Sequence, residues 1–145
     1  MTTRGEMYCF FRLGLVTGLV ELHEVTAWAD AQLIEGPEAD FDLVELSMAQ
    51  RWPHSKMIYL LYQLQGWPDM DRPVALLLER AAERLRQNPA SAYDIAMGVR
   101  LLDAEPRLAK PLRLKLQELE KDLERYRASE LSVDELRQRL EDVIG

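Results

Sequence analysis

LRLKLQELEKDLERY, residues 112–126, decides the fold class. Its apolar positions Leu112, Leu116, Leu119, Leu123 and Tyr126 fall four and three residues apart. That is the repeat of one helical face, whereas a strand would alternate every second residue. The pattern predicts a helix over about 107–128. Just beyond it, Ser132-Val133-Asp134-Glu135 places a Ser at an N-cap and a Glu three residues later. This capping box satisfies two otherwise unpaired backbone N–H groups and starts a helix. Leu136, Leu140 and Val143 then supply an apolar stripe, so residues 107–145 read as a C-terminal helical hairpin, a subdomain within a single domain over 1–145.

Working back from the hairpin, the same punctuation recurs. Gly18, Gly36 and Gly66 each close an apolar periodic run, and the seven prolines sit at breaks or first turns. Helices are expected over about 6–17, 22–34, 42–50, 53–65, 71–87 and 89–103. In the second, Leu22, Val25, Ala29 and Leu33 share a face that Trp28 extends. In the fourth, Met57, Leu60, Leu61 and Leu64 form a stripe that Ile58 and Tyr62 widen, which predicts burial on more than one side. Asn88 with Pro89 reads as an N-cap followed by a proline at the first helical position. No β-branched run alternates with period two, so no strand is expected. The fold class is all-α: an irregular or orthogonal bundle of seven to eight helices.

Composition narrows the function classes. Of 145 residues 48% are apolar and 30% charged, ordinary for a folded domain and too apolar for disorder. The net charge of −7 argues against nucleic acid as a partner, because phosphates need Lys and Arg to neutralise them. No apolar run reaches the length of a membrane span, and Arg12 interrupts the stretch over 8–20, which reads as a core helix rather than a signal peptide. The single cysteine, Cys9, can form no internal disulfide and is expected as a buried thiol, and a cytoplasmic location follows.

Catalytic and metal motifs fail on inspection. His23-Glu24 opens like a zinc-protease helix, but Ala27 stands where the second histidine belongs. His54 is the only other histidine, and no helix carries Glu-x-x-His. No Ser lies in a nucleophile elbow, and no Gly-rich loop with Lys can cradle phosphate. Asp69 and Asp71 open like a calcium loop that Pro73 and the missing Gly and Glu rule out. No catalytic residue, metal site or cofactor is expected.

Charge is uneven along the chain. Residues 1–66 hold four Lys or Arg against nine Asp or Glu, a net of −5, while the rest carries −2. Glu35, Glu38, Asp40, Asp42 and Glu45 crowd one loop and one helix start. Acids there suit the helix macrodipole and water. They also suit a docking surface for a basic protein, with Trp52 or Trp67 as an anchor. Trp52-Pro53 and Trp67-Pro68 echo each other ahead of a helix, and each Trp is expected to staple back onto that helix.

Arg12-Leu13-Gly14-Leu15, Gly18-Leu19-Val20, Val25, Trp28-Ala29-Asp30 and Ile34, followed by Leu43, Glu45, Leu46 and Ser47, have a texture of their own. Over residues 10–50 the chain resembles small all-helical bacterial proteins, mostly uncharacterised, some of which are thought to act as immunity partners of toxins. The resemblance implies a helical fold and a non-enzymatic, immunity-like role against a basic toxin. From the residues themselves, Gly14 is expected to let another helix approach, and Asp30 to cap a neighbouring helix or to pair with Arg12. Two alternatives stand beside the interaction module. One is a structural or regulatory protein that self-associates, as a homo-oligomer, through Leu112, Leu116, Leu119, Leu123 and Tyr126. The other is a small-ligand binder or an enzyme of unrecognised type.

Overall fold

A computed structural model describes residues 2–36 and 40–145, and all of the regular structure in them is helical, with no strand. The chain divides into two compact units, residues 1–68 and 69–145. The first contains α1 (Arg4–Thr17), α2 (Leu22–Glu35), α3 (Phe41–Ser47) and α4 (His54–Gln65). The second contains α5 (Asp71–Gln87), α6 (Ala92–Val99), α7 (Lys110–Arg127) and α8 (Val133–Ile144). The all-α fold is therefore as the sequence reads. The hairpin over 107–145 exists as α7 and α8, but it packs with α5 and α6 and is not a unit by itself.

In the first unit, α1 is the central element. It starts two residues earlier than its apolar run suggests, because Thr3 and Glu6 form a capping box: the Glu6 N–H donates to Thr3 Oγ1 at 3.1 Å and the Thr3 N–H to Glu6 Oε1 at 2.8 Å. Tyr8, Cys9, Phe10, Phe11, Leu13 and Leu15 are all buried. One side of α1 packs along α4. Across that contact the buried Arg12 donates from Nε to Gln65 Oε1 at 2.7 Å, and its guanidinium lies 5.4 Å from the Tyr62 ring. The expected partner, Asp30, is instead exposed on α2. The other side of α1 holds α2 through aromatic rings, with Trp28 edge-on to Tyr8 at 5.7 Å and to Phe11 at 5.3 Å.

Two local expectations change. Gly14 accommodates no second helix. At Gly18 (φ 76°) the backbone turns left-handed, and the returning chain lays Val20 on Gly14, whose carbonyl accepts the Val20 N–H at 3.0 Å. And α4 is buried on one side only: Met57, Leu61 and Gln65 face inward, while Tyr59 and Tyr62 are exposed.

In the second unit, α5 has the expected bounds and turns Val74, Leu77, Ala81 and Leu85 inward. The helix expected over 89–103 is broken into a 3-10 turn (Pro89–Ser91), α6 and a second 3-10 segment (Arg100–Ala104). Asn88 makes no side-chain cap. Arg113 of α7 reaches that last segment, with Nη1 3.1 Å from Asp103 Oδ1 and Nη2 2.6 Å from the Glu105 carbonyl. A turn closed by the Leu108 N–H on the Glu105 carbonyl at 3.1 Å delays the start of α7 to Lys110. The Ser132 capping box opens α8 as read.

Burial pushes the Tyr8 hydroxyl from 10.0 up to about 12, with Asp40 and Asp42 adding to the shift and Arg4 opposing it. A pKa raised by folding gives stability that is full below pH 10 and is lost as pH rises through about 12. One of the five tyrosines should therefore titrate near pH 12 by absorbance, and Tyr8→Phe should remove that step and lose less stability over the same window. Parallel pH profiles for the two proteins would contradict it. Gly14→Ala should cost roughly 1–3 kcal/mol in urea unfolding, because the new methyl meets the Val20 side chain.

Candidate docking surface

Helix α3 has seven residues, fewer than a helix needs to persist alone. Its sequence places Leu43, Leu46 and Ser47 on the inner side against α2. Fully burying a Leu contributes about 1.5–3 kcal/mol, so these two leucines hold the helix down. Asp40 fixes its start. One carboxylate oxygen accepts the N–H of Asp42 at 2.9 Å and of Leu43 at 3.3 Å, and the other accepts Arg4 Nη1 at 2.6 Å. Asp40 is thus both the N-cap of α3 and its tether to α1.

The opposite side of α3 follows from the helical turn of about 100° per residue. Phe41 and Met48 lie within about 20° of one another, pointing away from Leu43 and Leu46, with Glu45 beside them and Asp42 further round the same flank. Phe41 is 92% and Met48 72% exposed, and Ile34 at the end of α2 is 85% exposed. Apolar side chains this exposed and this near in sequence mark an interaction surface more often than isolated ones do.

The acidic residues separate by what they touch. Asp40 is engaged by Arg4 and the cap. Glu35, Asp42 and Glu45 are exposed and make no ion pair among the described residues. Glu38 lies outside the described residues. Of the two tryptophans, Trp52 is half-buried under the Lys56 ammonium, 4.0 Å from its ring centre, so it does staple onto α4. Trp67 is 86% exposed. The structure therefore sets Asp42 and Glu45 beside Phe41 and Met48 on the outer side of α3, and leaves Glu35 and Ile34 exposed at the end of α2. Phe41 and Met48 were missed in the sequence, although seven residues with leucines on one side and large apolar groups on the other were a usable signal.

The leucine seam of α7 is placed differently. Leu116, Leu119 and Leu123 are buried within their own unit, and Leu112 and Tyr126 are half-buried. The Tyr126 ring packs on Tyr93 at 5.3 Å, and Arg127 Nε donates to the Tyr93 hydroxyl at 3.0 Å. This seam joins the helices of the second unit. His23 sits exposed with Nδ1 3.1 Å from Glu21, and His54 is exposed on α4. Among the described residues no group of three or more His, Cys, Asp or Glu is placed to hold a metal ion, and no helix is long and apolar enough to cross a membrane.

No family model matches the chain, and no solved structure matches it. A stretch of 87 residues is 34% identical to universal stress proteins of Mycobacterium bovis and of two strains of Mycobacterium tuberculosis. The match covers 54% of this chain and 25% of each of those proteins, so the chain spans about a quarter of the length of the curated relatives it matches.

Proposed function

We propose that this chain is a non-enzymatic protein-interaction module that docks a basic protein on the face formed by the end of α2 and the outer side of α3. In its most specific form it is an immunity-like protein that covers a basic toxin in the cytoplasm, as the resemblance of residues 10–50 implies. The observation that carries the reading is the standing of three carboxylates: Glu35, Asp42 and Glu45 are exposed with no cation paired to them among the described residues. Acids that served only to cap or staple the fold would look like Asp40, which is engaged twice.

Exposed ion pairs contribute only about 0–1 kcal/mol each. The three carboxylates therefore act mainly on the rate of encounter, and that action fades once salt shortens the screening length to about 10 Å or less. The affinity comes from the apolar groups among them. Capture from a lysate of the organism that carries the gene, run in parallel with Glu35→Gln/Asp42→Asn/Glu45→Gln, tests this directly. The native chain should retain a basic protein at low salt and release it at high salt, and the triple variant should retain at least about tenfold less. Equal retention of the same proteins by both chains removes the acidic surface from the function.

A further inference from the structure

Ile34, Phe41 and Met48 are the most exposed large aliphatic or phenyl side chains described in the first unit, and Phe41 and Met48 share α3 with Asp42 and Glu45, which make no ion pair among the described residues. Phe41 opens α3 and Met48 is its C-cap, seven residues or about two turns apart, so they form a ridge about 10 Å long. A ridge of this spacing packs best into the groove between side-chain rows of another helix. Within α3 itself the charge is one-sided. Glu45 and Asp42 lie on one flank, and the half-buried Val44 lies on the other. A matching surface is therefore apolar along its centre and cationic along a single edge.

We infer, building on the docking reading above, that the partner presents an amphipathic α-helix whose apolar stripe seats on Phe41 and Met48 and whose Lys or Arg residues line one edge opposite Asp42 and Glu45. Charge complementarity selects this occupant. A second copy of the first unit would bring another net −5 toward the same acids, and an anionic lipid surface would be repelled by them. The one-sided charge also sets direction, because reversing the helix moves its cations to the Val44 flank.

The test uses the full chain and two synthetic peptides of equal composition. One carries Leu at helical i, i+3, i+4, i+7 spacing with Lys along one edge; the other has the same residues shuffled to abolish the face. The patterned peptide should bind at least about tenfold more tightly and gain helical circular dichroism on binding. Phe41→Ser and Met48→Ser, both on exposed positions, should each weaken it by about tenfold while leaving the chain's own melting temperature unchanged. Equal affinity for both peptides, lost in the triple acid variant, overturns the helical partner and leaves the docking reading standing. No binding of either peptide at low salt overturns both. Binding of the chain to phosphatidylserine vesicles that is lost in Phe41→Ser overturns the protein partner in favour of a membrane.

Discussion

Asp40 is the residue on which the display of this surface depends. One carboxylate closes the first turn of α3 and holds Arg4 of α1 at 2.6 Å. The cap contributes about 1 kcal/mol and the partly exposed ion pair less, so neither is large against the burial of Leu43 and Leu46. Their weight is geometric. Leucine burial alone fixes which side of α3 faces inward, but a seven-residue helix can still slide or fray at its start. With Asp40 bound at both ends, the first turn is set, and Phe41, Asp42 and Glu45 point outward together. An acid that looks from its neighbours like one of five surface charges is in fact the one that positions the others.

Behind α3 stands a rigid support. Helix α1 is buried nearly throughout and is held on one side by the Arg12–Gln65 contact to α4 and on the other by the Trp28 rings to α2. Large aromatic side chains let α1 and α2 meet without close backbone approach, and α2 then carries α3. The surface therefore rests on three helices in series, each fixed by a different kind of contact: a buried polar pair, edge-on aromatic rings and leucine packing. Interfaces built on rigid elements lose less entropy on binding than those built on loops. The second unit is assembled by other means, with the leucines of α7 meeting those of α8 and Arg113 gathering acceptors from the 3-10 segment.

Sequence made the helices legible where their signals were local. The Ser132 capping box, the bounds of α5 and the inward leucines of α7 are all set by residues within a few positions of one another. The Thr3–Glu6 box carries the same signal as Ser132–Glu135, yet it lies ahead of the apolar run that marks the helix. What escaped reading was tertiary. Gln65 lies 53 residues from Arg12, and no spacing rule connects them. Trp52 and Trp67 have nearly the same neighbours, yet Trp52 is half-buried beneath Lys56 and Trp67 is 86% exposed. The acidic cluster was visible as composition; its division into one structural acid and three with no ion pair among the described residues, and the apolar side chains exposed near them in sequence, needed the backbone in three dimensions.

The most direct measurement of the central claim is chemical-shift mapping of the isotope-labelled full chain as the patterned cationic peptide is added. The account predicts that the perturbed backbone and methyl signals concentrate between residues 34 and 48, with Ile34, Phe41 and Met48 among them. Perturbations centred on residues 69–145, or scattered without a focus, would contradict it.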